Sequence, residues 1–363
     1  MKILILANSS GGLYGFRKEL IISLKKEHEV IAIVPIKNAK EELEAIGCEV
    51  IDVPLDRRGI NPIIDAKLVL AYFKKIKKIK PDLVITYTIK PNIYGGIVCR
   101  LLRIPYAMNI TGLGTAFERG GMLTKFVTTL YKCASQKARV LFFENSVNRD
   151  IFVNKNIVPV KKTYLLNGAG VNLEQYSVSK YPEGEIVKFL FIGRIMAEKG
   201  VNELFAAMKK LILSGMKAEL HVLGLYEENY KSVIDMYEKE GWMHYHGFQK
   251  DVRPFIQDCH CFVLPSWHEG MANTNLECAA SGRPVITSNI PGCLEAVKDG
   301  VTGYLIEKKN VDSLYYVMRK FMGLSYVERE EMGLAGRKHM EENFDKKNVV
   351  KETILHLVGD KNE

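Results

Sequence analysis

The stretch Pro265–Glu277, PSWHEGMANTNLE, sets two carboxylates, Glu269 and Glu277, on either side of a turn. Between them lie Gly270, Met271, Ala272 and Asn273, whose backbone N–H groups can face an anion, and an apolar run, Cys261 to Leu264, precedes the segment. A carboxylate accepts paired hydrogen bonds from vicinal hydroxyls, as a ribose or a hexose offers, and free N–H groups at a helix start attract phosphate. The layout suits a site that holds a sugar and a phosphate together. A plainer reading is local: Thr274-Asn-Leu-Glu277 has the form of a capping box, so Glu277 closes a helical turn and Glu269 is a loop acid. For Glu277 the two roles are compatible.

A second constellation is Gly193-Arg194 followed by Glu198-Lys199-Gly200, after an apolar run and before a helical pattern. Glycines permit a tight turn, a helix start presents N–H groups, and Arg194 and Lys199 place two cations where a diphosphate would sit. The plainer alternative is a loop with surface charges. No GxxxxGK[ST] is present, so this is not a P-loop. Near the N-terminus, Gly11-Gly12 could approach a phosphate closely, but SSGGLYG lacks GxGxxG spacing and the second strand ends Val34-Pro35-Ile36-Lys37 without an acid, which argues against NAD. His28, His244, His246 and His260 show no metal-ligand spacing and read as ordinary residues; only His268, beside Trp267, is kept as a weak site candidate, and no metal is expected.

Positioning these groups requires strands that end at them. Ile3–Ala7 reads as a buried strand, then a Gly-rich turn (Ser9 to Gly12), a helix to about Lys26, and strands Val30–Val34 and Val50–Val53. A helix over Asn61 to Ile79 leads to strand Leu83–Tyr87, and the alternation continues through Val140–Phe143 to Thr163–Leu166. It restarts with strand Val187–Ile192, a helix from about Val201, strand Ala218–Leu223, a helix over 228–240 and strands Cys261–Leu264 and Pro284–Thr287. Asn348 to Val358 carries a helical apolar stripe. Alternating strands and helices predict two doubly wound parallel-sheet domains with a cleft between them. The expected division is 1–171, a polar linker at 172–186, 187–345, and a C-terminal helix at 346–363 packing back on the first domain.

A length of 363 residues accommodates two such domains. No apolar run is long enough to span a membrane, and the N-terminus reads as a first strand, not as a signal peptide. Seven scattered cysteines without a CxxC pair point to a reducing compartment, and a cytoplasmic location is expected. Charge is uneven: residues 1–180 hold 28 Lys and Arg against 15 Asp and Glu, and residues 181–363 hold 23 against 27. An anionic partner for the first half is one explanation, a soluble basic surface the other. Lys67–Lys80 sets Val69, Tyr72, Phe73, Ile76 and Ile79 on one face and Lys67, Lys74, Lys75, Lys77 and Lys78 near the other, and Gly120–Ala138 has a similar mix. Either these are core helices with solvated basic sides, or they face anionic lipid headgroups. No nucleic-acid recognition module is visible, and nucleic acid is not an expected partner.

Together these segments resemble the retaining glycosyltransferases of family 4, which have the GT-B fold of two facing Rossmann-like domains. The resemblance covers nearly the whole chain. Its most specific elements are the E-x7-E pair in HEGMANTNLE and the run GRIMAEKG, with support from PGCLEAVKDGVTGYLI and NGAGVN. TIKPNIYGG and NITGLGTAF look like the bacterial branch that builds capsule, O-antigen or other glycans on undecaprenyl diphosphate, and within it like transferases adding an N-acetylhexosamine to a lipid-diphosphate sugar. The resemblance implies an N-terminal acceptor-binding domain and a C-terminal nucleotide-sugar domain. Arg194 and Lys199 would bind the donor diphosphate and stabilise it as leaving group, with Gly193 beside them and Gly12 approaching from the first loop. Glu277 would hold the ribose; Glu269, with the N–H groups of Gly270, Met271, Ala272 and Asn273, would hold the donor sugar. It further implies a UDP-sugar co-substrate, no cofactor or metal, and attack from the face the nucleotide leaves, so that the anomeric configuration is kept.

One departure stands out: many members carry a histidine near Thr111, and here the run is Asn109-Ile110-Thr111-Gly112. Thr111, Lys90 and Arg17 are the candidates on the acceptor side. The expected location is peripheral on the inner face of the cell membrane. Alternatives on the same architecture are a sugar-nucleotide epimerase, a phosphorylase, or a nucleotide-sugar-binding protein without catalysis.

Overall fold

The computed structural model describes residues 1–57, 59, 61–114, 117 and 121–359. Thr115 and Ala116 of the NITGLGTAF run, and Gly120, lie outside the described residues. The chain divides into two compact units, Met1–Ala169 with Lys347–Glu363, and Gly170–Lys346.

The first unit holds a seven-stranded parallel sheet of β1 (Lys2–Leu6), β2 (Glu29–Val34), β3 (Glu49–Asp52), β4 (Leu83–Tyr87), β5 (Tyr106–Ile110), β6 (Leu141–Phe143) and β7 (Thr163–Leu165). The spatial order is β3-β2-β1-β4-β5-β6-β7. β1, β4 and β5 are almost wholly buried and mostly apolar, as strands covered on both faces must be. The predicted Gly-rich turn is instead the first turn of a helix, Ser10–Lys25: Ser9 is the N-cap and its hydroxyl accepts the Gly12 N–H at 3.2 Å. The helix Pro62–Ile79 starts at an Asn61 cap and buries Leu68, Tyr72 and Ile76, while the five lysines of its other face are exposed. The last helix, Lys346–Val358, packs on this unit: Val349 and Leu357 join its core, Tyr164 donates to Glu352 at 2.7 Å, and His356 lies against Tyr164.

The second unit has six parallel strands: β8 (Val187–Ile192), β9 (Ala218–Leu223), β10 (Met243–Tyr245), β11 (Cys261–Leu264), β12 (Val285–Ser288) and β13 (Gly303–Ile306). Their order is β10-β9-β8-β11-β12-β13. The stretch expected to be a linker is part of this unit. Tyr181 is buried and donates to the His260 carbonyl at 2.7 Å, and Arg283, fully buried, donates to the carbonyls of Ser179 and Lys180. Polarity marked the segment as a connector, yet its backbone carbonyls are what satisfies a buried guanidinium.

Candidate functional site

In the second sheet the direction of winding reverses between β8 and β11, the place where open α/β sheets bind ligands beyond the carboxyl ends of their strands. The loops leaving these two strands are GRIMAEKG and PSWHEGMA, and backbone contacts tie them together. Gly200 has φ +74°, and a Cβ there would lie 2.0 Å from the Pro265 carbonyl oxygen. The Trp267 N–H donates to the Glu198 carbonyl at 2.9 Å. A third loop joins them: Gly292 has φ +85° and leaves no room for a Cβ against Gly270, and its carbonyl accepts the Ala272 N–H at 2.7 Å. Only glycine fits at 200 and 292, because backbone occupies the space a side chain would need.

This clamp brings Lys199 and Glu269, 70 residues apart, into an ion pair in which both side chains are mostly buried. The Ser266 hydroxyl donates to the same Glu269 oxygen at 2.9 Å. Ser266, fully buried, is a site residue that the sequence reading missed, because a lone serine at a strand end carries no distinguishing pattern. Arg194 stands differently: it is exposed and sits 3.7 Å from Glu227. Gly193 hydrogen-bonds to the Leu223 carbonyl at 2.9 Å, which holds the start of the loop. His268 lies 3.5 Å from Glu198, and the Trp267 indole donates to Glu203 at 3.2 Å while Lys309 covers its ring at 4.0 Å.

The capping-box reading of Glu277 does not hold. The helix runs Asn273–Ala280 with Ala272 as N-cap and no side-chain cap, so Thr274 is already inside it and Glu277 is its fifth residue. Glu277 has the Tyr176 hydroxyl and Lys346 as neighbours. Burial pushes its carboxyl up to about 7, against the pull of the hydrogen bond from the Tyr176 hydroxyl and the charge of Lys346. With no side chain over Ala272, the first N–H groups of this helix are left for a ligand, and the buried Asn273 Oδ1 beside them has no hydrogen-bond partner among the described residues. The chemistry on offer is a cation and two carboxylates, one neutralised and one poised near neutrality, around uncapped N–H groups.

In the first unit the candidates lie beyond the strand ends or on the helices that follow. Gly12 spends its N–H on the Ser9 cap, and a Cβ there would meet only ordinary contacts. Arg17 is neither in a loop nor at a helix start: it is well inside the helix Ser10–Lys25, paired with the buried Glu144 at 2.7 Å and stacked over Tyr87 at 5.0 Å. Lys90 pairs with Asp65 at 2.6 Å, and Asp65 also accepts from the Tyr94 hydroxyl at 2.7 Å. Thr111 follows β5 and is half-buried. Between β4 and Lys90 the backbone is strained: Thr88 has φ +72°, and its buried hydroxyl has no partner among the described residues. A π-helical turn, Pro91–Gly95, follows directly.

Two family models match the chain, glycosyl transferases group 1 over residues 177–339 and glycosyl transferase 4-like over residues 2–145. The chain is a glycosyltransferase with a 4-like first domain and a group 1 second domain. The transferase is 28% identical over 333 residues to the N,N'-diacetylbacillosaminyl-diphospho-undecaprenol alpha-1,3-N-acetylgalactosaminyltransferase of Campylobacter jejuni, covering 86% of this chain and 87% of that one. It is 29% identical over 284 residues to the UDP-Gal:alpha-D-GlcNAc-diphosphoundecaprenol alpha-1,3-galactosyltransferase of Escherichia coli, covering 72% of this chain and 71% of that one. Among solved structures it is similar to Anabaena HepE in complex with UDP-glucose, with a TM-score of 0.79, 16% identity, and 98% and 99% of the two chains covered. The GT-B fold expected from the sequence is therefore the fold of the transferase. The epimerase and non-catalytic alternatives are not favoured by these relationships. Among the described residues no helix is long and apolar enough to cross a membrane.

Proposed function

We propose that this glycosyltransferase moves a sugar, an N-acetylhexosamine or related hexose, from a UDP-sugar to a lipid-diphosphate-linked saccharide, with retention of configuration and without a metal. The observation that carries the proposal is the Lys199–Glu269 pair held at the β8/β11 switch point by the Gly200–Pro265 contact. An incoming diphosphate takes Lys199 from Glu269, and the released carboxylate accepts hydroxyls of the donor sugar. Arg194 adds its charge from the exposed side, Glu277 accepts the ribose diol, and the N–H groups of Met271 and Asn273 serve the sugar and phosphates, while that of Ala272 stays with the Gly292 carbonyl. With the leaving diphosphate neutralised by two cations, the acceptor hydroxyl attacks from the departing face and passes its proton to the leaving oxygen. The named acceptors and donor of the Campylobacter and Escherichia relatives support undecaprenyl-diphosphate glycans and a UDP-sugar, and so a role in capsule, O-antigen or similar surface polysaccharide assembly.

On the acceptor side Lys90, Arg17 and Thr111 contact the lipid-linked saccharide, the two cations exchanging their carboxylate partners for its diphosphate. The exposed lysines of Pro62–Ile79, beside exposed Ile63, Ile64 and Leu70, hold the enzyme to the anionic inner face of the cell membrane, helped by exposed Met122 and Phe126 of the helix Gly121–Ser135. The test is transfer from a panel of UDP-sugars to a lipid-diphosphate saccharide, with the anomeric configuration of the product read by NMR. Transfer with retention, lost in folded Lys199→Ala protein, is the expected result. Full activity in both Lys199→Ala and Glu269→Ala would remove the site assignment.

A further inference from the structure

β9 and β10 pair in parallel with His221 opposite His244. Alternation along strands puts Glu219 and His221 of β9, and His244 at β10 with His246 just beyond it, on one face of the sheet. The His221 Nε2 and His244 Nε2 atoms lie 3.6 and 3.8 Å from the same oxygen, Glu219 Oε2, and one donor atom from each of the three residues lies within 4.8 Å of the others. His246 Nε2 is 3.0 Å from His221 Nδ1, with the two rings stacked at an interplanar angle of 7°.

We infer that Glu219, His221 and His244 form a binding site for a divalent transition metal of the zinc class, separate from the loops after β8 and β11. Three observations carry it. The donor set is two imidazoles and a carboxylate, which suits zinc, and a tetrahedral zinc site needs ligand atoms about 3.3 Å apart, within a few tenths of an ångström of the two distances to Glu219. His221 Nε2 is buried and has no hydrogen-bond partner among the described residues, so a lone pair there is otherwise unsatisfied. Finally, if Nδ1–H of His221 donates to His246, the tautomer left has its bare nitrogen at Nε2, facing Glu219; His246 then orients the ligand as outer partners of metal-bound histidines do. The nearest cation on the neighbouring strand, Lys188, is paired with Asp258 at 2.8 Å.

The site clasps a short outer strand. β10 is three residues long and ends the sheet order, so few backbone bonds hold it, and a metal shared with β9 fastens it. A fourth position stays open to water.

The test uses tag-free full-length protein stripped with a chelator and titrated with Co²⁺, then Zn²⁺. One cobalt per chain with the visible bands of four-coordinate cobalt, displaced by zinc, is expected, together with a rise in melting temperature on adding zinc. His244→Ala, at the more exposed of the two histidine ligands, should weaken binding at least about tenfold and abolish the thermal gain, while His246→Ala weakens it about tenfold. Glu219→Gln provides a second variant should His244→Ala destabilise the strand. Absence of saturable cobalt binding, or binding unchanged in both His244→Ala and Glu219→Gln, overturns the site. Its failure leaves the transfer reaction untouched, because none of these residues lies in the loops assigned to the donor.

Discussion

Glu269 and Glu277 lie eight positions apart on one short segment, and the protein treats them in opposite ways. Glu269 is met by a full cation, Lys199, and by the Ser266 hydroxyl. Glu277 is equally enclosed but receives only the Tyr176 hydroxyl and the charge of Lys346, and its carboxyl is pushed up to about 7. Burial raises the carboxyl pKa of Glu277, and its hydroxyl and lysine neighbours offset that only in part, whereas Glu269 sits in a direct ion pair. The pair is asymmetric by construction: one carboxylate can be released by an anion that competes for its lysine, and the other can be ionised by hydroxyls that donate to it.

The largest expected effect tests the released member. Glu269→Gln removes the charge that Lys199 holds and turns one of two acceptor oxygens into a donor, and kcat/KM for transfer should fall by about 10²- to 10³-fold in steady-state assays. A loss confined to a few-fold would make the two acids equivalent and dissolve the contrast.

Glu277→Gln should act in the other direction on stability. The folded-state pKa of Glu277 lies above its unfolded value of 4.5, so between there and about 7 the folded chain keeps a proton that the unfolded chain has lost. Stability therefore falls as pH rises through that window, and the cost is fully present above it. The glutamine variant escapes this cost: at about pH 8 its melting temperature should exceed that of the parent by about 2–4 °C, with no gain at about pH 4. The same variant should bind UDP about tenfold more weakly and lack the tightening with rising pH that is expected of the parent across neutrality, measured by calorimetry. A variant that gains no stability at alkaline pH would place the cost elsewhere.

The smallest effect sharpens the comparison. Tyr176→Phe removes the hydrogen bond that favours the ionised Glu277, so the pH midpoint of UDP binding should move upward and the affinity near neutrality should weaken by a few-fold, about 1 kcal/mol or less. An unchanged midpoint would show that burial and Lys346 set the charge of Glu277 without the tyrosine.

Much of the architecture was legible from the order of residues. Buried strands such as Ile3–Ala7 and Val187–Ile192 declare themselves as apolar runs, and Asn61 with Pro62 marks a helix start because cap chemistry is local. What misled was also local. Gly11-Gly12 resembles a turn, yet Ser9 caps a helix across it; Thr274 resembles a cap, yet the helix starts at Asn273; the polar 172–186 run resembles a linker, yet it satisfies Arg283. At Gly11-Gly12 the winner was another local signal, the Ser9 cap; at Ala272 and in the 172–186 run it was a partner supplied from elsewhere in the chain.

By itself the sequence determined that the chain makes two parallel α/β units, and it singled out two motifs as donor-site candidates, because strand burial, loop glycines and the spacing of acids and cations are written in consecutive residues. Tertiary structure decided the pairings. It set Lys199 against Glu269 and Tyr176 against Glu277, committed Arg17 to Glu144, and placed His221 opposite His244, since strand register and loop contact join residues that no spacing rule connects. The charge state of a buried side chain follows from its neighbours in space, and only the fold supplies those.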